Sequence, residues 1–480
     1  MEAYEGYDAT GLAALVAAGE VTAEALLDAA LDRVARRNPA LTAVVSQDPD
    51  LARSAIASGL PEGPLRGVPF LIKDIGCETP DFPVSLGSRL GQGTRHALTS
   101  TVYDRLRGAG LVTFGRTACP EGAVGPVTEA AAYGAPTRNP WDQTRTPGGS
   151  SGGAGAAVAA GIVPAAHGSD GGGSIRIPAS NCGLFGFKPS RGRIPDGPYA
   201  GEGWAGMAQD GVLTRSVRDT ALLLDILAGP DLGVPYWPPP MTGSHVEALG
   251  RPTGRLRVAV SFGTFDGDPI HPECRRAVEE TAALLGALGH EVREARPTAD
   301  HRGMIAAWTR IVACGSASWI RALARKKGVR AEDHIEPVLA GALRLADGLS
   351  GTDYLEAVET VHDYGRAMAR FLDGHDVLLS ATMAEPPAEI GRFAHTRAEF
   401  ADFMAYRTGP GGVFDYSPFC AAFNASGQPA MSVPLYWSEA GLPIGVHFAG
   451  PMGADELLIA LAAQLEAASP WFGKRPPFPD

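Results

Sequence analysis

Helical and extended periods alternate along almost the whole chain. Thr22 stands as a cap before a 3.6-residue stripe of Leu26, Leu27, Ala30, Leu31 and Val34, and Asn38-Pro39 is expected to end that helix. Val68 to Ile72 is a short unbroken apolar run, the mark of a buried strand, and it delivers Lys73-Asp74 at its end. Residues 100–108 predict a helix stopped by Gly110, followed by a strand from Leu111 to Phe114. Ser216 with Asp219 three positions later marks a helix start before Ala221-Leu222-Leu223-Leu224. Leu256 to Val260, a helix over 272–288 and Glu291-Val292 repeat the strand–helix–strand order. Residues 301–373 read as almost wholly helical and carry Trp308 and Trp319. Strands return at Val377 to Leu379 and at 431–435 and 444–448, around a turn at Glu439-Ala440-Gly441, before a last helix over about 454–468.

Strands and helices interleave without a Gly/Ser linker, a composition break or a repeat of 20–50 residues. That order predicts one large α/β unit with a covered sheet rather than a string of domains.

Composition narrows the function. The net charge of −12 disfavours a nucleic-acid partner, and Arg325-Lys326-Lys327 reads as a solvated helix end. Six cysteines contain no C-x-x-C pair and no metal-ligand spacing, and Cys182, Cys314 and Cys420 read as small buried apolar residues. The start from Met1 to Asp8 is acidic and lacks the apolar stretch of a signal peptide. The most membrane-like run, 154–166, is too short to span a bilayer and contains Pro164. A cytoplasmic protein without a membrane partner is expected.

Residues 148–192 hold 13 of the 61 glycines. No Lys follows them with the spacing of a phosphate loop, no strand-linked G-x-G-x-x-G is present, and Ser174 is followed by Ile175-Arg176 rather than x-Gly. His167, Asp170 and Ser174 form a tempting triad. They are neighbours in sequence, however, whereas triads meet by folding, so this reading is set aside. Consecutive glycines let backbone N–H groups converge on one point, and if Ser174 opens a helix those groups and the helix dipole face a developing oxyanion. Ser174 as nucleophile needs a base, and Lys73 with the Ser150-Ser151 pair offers a Lys–Ser–Ser relay. Lys73 on its own would be read as a surface lysine; the two serine motifs reverse that.

Three motifs carry a family resemblance: Pro69-Phe70-x-x-Lys73-Asp74, Gly148-Gly149-Ser150-Ser151-Gly152-Gly153, and Asp170-x-Gly172-Gly173-Ser174-Ile175-Arg176-x-Pro178-Ala179. In this order, and with Ser150 and Ser174 spaced by 24, they resemble the amidase signature family. Thr137-Arg138-Asn139-Pro140-Trp141 and Gly427-Gln428-Pro429-Ala430 extend the likeness over roughly residues 8 to 472.

The resemblance implies a single large α/β fold over 1–480, with a mixed central β-sheet covered by helices on both faces. It places the signature core at about 65–195 and sets the helices of 301–373 beside the active site. Ser174 is implied as the acylated nucleophile, Ser150 as the bridging serine held by a cis peptide, and Lys73 as the base. The backbone N–H groups of Gly171, Gly172, Gly173 and Ser174 are implied as the oxyanion hole. Ser151, Asp170 and Arg176 are implied as structural support, the last two as an ion pair. Gly171 departs from the family, which commonly has Thr there. No metal or cofactor is implied. The segment Pro120 to Thr128 is implied to face substrate, while Trp204, Trp308 and Trp319 read first as core.

The activity implied is hydrolysis of a small non-peptide amide, linear or cyclic, through an acyl-enzyme. Ala166-His167-Gly168-x-Asp170 and Pro470-Trp471 look closest to the hydrolases of 6-aminohexanoate cyclic dimer and related linear amides. Two other readings stay open: the glutaminase subunit of a tRNA-dependent amidotransferase, and an inactive amide-binding scaffold. The resemblance leaves room for a homodimer.

Overall fold

Eleven strands hydrogen-bond into one sheet. The structure, a computed structural model, describes residues 2–477, so Met1 and residues 478–480 of the expected single unit lie outside it. In chain order the strands are β1 (Val44–Gln47), β2 (Pro69–Lys73), β3 (Val112–Thr117), β4 (Ala165–Asp170), β5 (Phe185–Lys188) and β6 (Gln209–Thr214). They continue as β7 (Arg257–Val260), β8 (Glu291–Glu294), β9 (Val377–Ala381), β10 (Ala430–Trp437) and β11 (Pro443–Ala449). Across the sheet the order is β1-β3-β2-β4-β6-β5-β10-β11-β9-β7-β8. Parallel pairs β2–β3, β2–β4, β7–β9 and β7–β8 coexist with antiparallel ones, so the sheet is mixed.

Burial follows from this order. β2, β3, β5, β9 and β11 are buried at every position, which requires helices on both faces. β8 closes one edge with half-buried and exposed residues, among them Glu291, Arg293 and Glu294, which suits an edge strand that must not pair further.

Two elements differ locally from expectation. The helix capped by Thr22 runs on to Leu41, through Pro39. Thr42 closes it in the left-handed region (φ 50°), and Asn38 Oδ1 accepts the amides of Ala43 and Val44 just beyond. Ser216 caps Val217–Leu227 through the amide of Asp219, but the Asp219 side chain does not complete a capping box. Its carboxylate instead accepts the amides of Ala9 and Thr10 at 2.6 and 2.9 Å, tying the first helix to this one.

The sheet sets up the site. β2 and β4 are parallel neighbours, paired at Leu71 and Ala166, so Lys73 and Ser169-Asp170 emerge from the same end of the sheet. The small-residue helix Gly152–Ala159 and the short helix Arg176–Cys182 pack beside each other and bring the two serine loops to that end.

Candidate active site

Lys73 is the last residue of β2 and is fully buried. Its Nζ donates to Ser150 Oγ at 2.6 Å and to Ser169 Oγ at 2.9 Å. Desolvation is the largest influence on the ammonium and pulls it down from 10.5 to about 8; Cys119, Asp210 and Asp170 oppose it only in part. The backbone leading away from Lys73 is pinned by Arg116 on β3. Its guanidinium donates to the carbonyls of Lys73 (2.7 Å), Gly76 (3.2 Å), Cys77 (3.2 Å) and Phe82 (3.3 Å).

The Gly149–Ser150 peptide is cis. Ser151 Oγ both donates to Ser169 O and accepts from Ser169 N, each at 3.2 Å, so it fixes the residue whose own hydroxyl receives Lys73. The Ser151 amide donates to Ser174 O at 3.2 Å, joining the two serine loops directly.

The loop from Asp170 to Arg176 is organised by one carboxylate. Asp170 Oδ1 accepts Gly173 N at 2.8 Å and Arg176 Nη2 at 2.8 Å, while Oδ2 accepts Ile175 N at 3.2 Å and Arg176 Nε at 2.9 Å. Burial alone would raise this carboxyl, but the charge and hydrogen bonds of Arg176, with Asn424, hold it well below the usual range. Asn424 Nδ2 also donates to Asp170 O at 2.8 Å, and Arg176 Nη2 donates to Asn424 Oδ1 at 2.7 Å. Gly173 holds φ 121°, a region open to glycine. Its amide is committed to Asp170, whereas the amides of Gly171, Gly172 and Ser174 donate to no acceptor among the described residues.

Gly171 explains its own departure from the family. A Cβ there would lie 2.5 Å from the Trp204 ring, which occupies the space a threonine would need. Trp308 Nε1 donates to Gly171 O at 3.1 Å and steadies the same loop. The three tryptophans read first as core therefore also face the site. Trp204 and Trp319 line its larger cavity, and Trp204 and Trp308 a smaller one.

Ser150 and Ser174 open onto a cavity of about 230 Å³, which Ser169 and Gly171 also line. The structure gives no hydrogen bond directly between the two hydroxyls. Gly122 and Ala123 of the apolar segment Pro120 to Thr128 form part of the wall. Glu78, Asp196 and Asp210 form another part, and burial pushes the Glu78 and Asp196 carboxyls upward.

His167 takes no part in a serine triad. Its Nδ1 accepts the Lys73 amide at 3.3 Å, so Nε2 carries the proton and donates to Asp210 Oδ1 at 3.2 Å. Asp170 is engaged by Arg176 instead. Among the described residues, no group of three or more His, Cys, Asp or Glu could hold a metal ion, and no helix is long and apolar enough to cross a membrane.

Ser169, Arg116 and Asn424 are the supporting residues that sequence reasoning missed. Only Ser169 had a local signal, because it directly precedes Asp170 and the glycines.

The chain resembles known proteins over almost its whole length. The amidase family model matches residues 25–459. The chain is 37% identical over 479 residues to the 6-aminohexanoate-cyclic-dimer hydrolase of Paenarthrobacter ureafaciens, spanning 98% of this chain and 96% of that protein. It is 34% identical to the acylamidase of Rhodococcus erythropolis, over 98% and 96% of the two chains. A solved structure of 6-aminohexanoate cyclic dimer hydrolase matches with a TM-score of 0.92 at 35% identity, over 98% of this chain and 99% of that one. The chain belongs to the amidase family. It is a hydrolase of amide carbon–nitrogen bonds outside peptides.

Proposed function

We propose that the protein hydrolyses a small linear or cyclic amide through an acyl-enzyme on Ser174, with Ser150 and Lys73 as the proton relay. The observation that carries this reading is the 2.6 Å contact between Lys73 Nζ and Ser150 Oγ in a buried site where, among the described residues, no carboxylate pairs with the lysine. With Lys73 at about 8, roughly a tenth of it is neutral at pH 7, enough to act as a base.

In the proposed cycle, neutral Lys73 takes the Ser150 proton while Ser150 takes that of Ser174, and Ser174 Oγ attacks the amide carbon. The amides of Gly171, Gly172 and Ser174 hold the oxyanion; Gly173, expected among them, keeps its bond to Asp170. The tetrahedral intermediate collapses as the relay returns the proton to the leaving nitrogen, releasing the amine. Water, activated by the same relay, then attacks the ester and releases the carboxylic acid. Asp170 and Arg176 hold the loop without touching the reacting atoms, and no step calls for a cofactor.

The substrate class follows the relatives named as cyclic-dimer hydrolase and acylamidase. The test is amine or ammonia release from a panel of linear aliphatic, aromatic and cyclic amides, 6-aminohexanoate cyclic dimer included, with Ser174→Ala beside the wild type. Release that vanishes in the variant supports the reading. Release that persists in it, or none from the whole panel, refutes the reading.

A further inference from the structure

Ser174 also borders a smaller cavity of about 30 Å³, walled by Gly172, Trp308, Arg407, Phe414 and Ser417. This is room for one or two water-sized groups, about the size of a carboxylate.

Arg407 is the charge in that wall. It is only 3% exposed, and its guanidinium carbon lies 4.7 Å from the Trp308 ring centroid, 5.2 Å from Phe403 and 5.5 Å from Phe414. Among the described residues it forms no ion pair and donates no hydrogen bond; Nε is buried without a partner. Ser417 Oγ, on the same wall, is equally buried and equally unpartnered. The titratable groups beside Arg407 do not balance it. Burial raises the Tyr406 phenol, and burial with the Arg407 charge pushes His395 down to about 3, so both stay neutral. Ring faces repay the desolvation of a buried cation only in part, and its fork of donors is left open.

We propose that Arg407 and Ser417 form a subsite for a carboxylate carried by the substrate, so that the amide hydrolysed is a linear one with an anionic group on one side of the scissile bond. This rests on the reading of Ser174 as nucleophile, because the small cavity adjoins that residue. The larger cavity offers that group no counter-charge, since its lining holds Glu78, Asp196 and Asp210 and neither lysine nor arginine. Charge therefore orients the substrate, with its carboxylate toward Arg407, its carbonyl at Ser174, and its uncharged or ammonium end in the larger cavity. Because both residues line one small cavity, the spacer between carboxylate and carbonyl is only a few atoms long. Trp308 links the two features, since the ring under Arg407 also bonds Gly171 O.

The test reads binding without turnover. Succinamate and its neutral isostere succinamide are titrated calorimetrically into the full chain carrying Ser174→Ala, with and without Arg407→Met or Arg407→Lys. Succinamate is expected to bind at least tenfold more tightly than succinamide. Arg407→Met should bring the two within about twofold, and Arg407→Lys, which keeps charge but loses the fork, should cost at least threefold. Because the buried cation has no ion pair or hydrogen bond to lose, and Met keeps an apolar chain against the rings, Arg407→Met should leave the melting temperature unchanged or raise it. Equal affinities, no binding of either probe, a preference that survives Arg407→Met, or loss of folding in both variants overturns the proposal. Amide turnover is scored separately in the wild type. A succinamate preference without any amide turnover removes the catalytic reading and leaves the subsite, and the reverse pattern does the opposite.

Discussion

Lys73 Nζ donates to Ser150 Oγ at 2.6 Å while the Lys73 amide is held by His167 Nδ1, so both ends of the lysine are fixed. In the proposed relay a lysine so placed is the base, and His167 holds its backbone rather than replacing it. Lys73→Arg keeps a cation that cannot deprotonate and should lower kcat/KM by about 10²–10⁴ or more across the pH range. The wild-type kcat/KM should rise with pH along one ionisation centred near 8 instead of lysine's usual 10.5. A fully active Lys73→Arg enzyme would contradict the relay.

The same burial predicts a stability effect of opposite sign. Lys73 is depressed from 10.5 to about 8, so below pH 8 the folded state carries a desolvated charge costing about 3 kcal/mol. Between pH 8 and 10.5 the unfolded chain binds the extra proton, and wild-type stability rises with pH. Lys73→Met should therefore be inactive yet more stable at pH 7 by roughly 1–2 kcal/mol, after the loss of two hydrogen bonds. The gain should fade towards pH 10.5. Urea unfolding at pH 7 and 10 measures both.

Asp170→Asn leaves Arg176 buried without its counter-charge. Stability should fall by about 3–5 kcal/mol, and activity should fall with it because the Gly173 amide loses its anchor. A urea midpoint equal to the wild type's would show that the pair does not organise the loop.

Gly171→Ala places a methyl 2.5 Å from the Trp204 ring, so the indole or the loop must move. A cost of about 1–3 kcal/mol is expected, with a shift in tryptophan emission. Trp204→Ala in the same chain should recover part of that loss, and a double-mutant cycle measures the coupling.

The placement of the candidate site residues was legible where it is local in sequence. Lys73 ends an apolar run, and Ser150 and Asp170 through Arg176 lie in short glycine motifs. Strands β1, β4, β5 and β6 gave no clear signal. β4, Ala-Ala-His-Gly-Ser-Asp, is central and almost wholly buried, so it has no polar face to alternate with, and its charged end is paired with Arg176. Contacts made by folding were equally hidden: Asn424 is 254 residues from Asp170, and Arg407 is set apart only by what fails to pair with it. Trp204 could be read as core because the glycine that admits it lies in another segment.

The most direct measurement is mass spectrometry of the peptide modified by a fluorophosphonate, which traps an activated serine. Ser174 should be labelled in the wild type, with labelling abolished in Ser174→Ala and strongly slowed in Lys73→Arg and Ser150→Ala. Labelling at Ser150 or at a cysteine, or undiminished labelling of Ser174 in Lys73→Arg, would contradict the assignment of Ser174 as a nucleophile driven by Lys73.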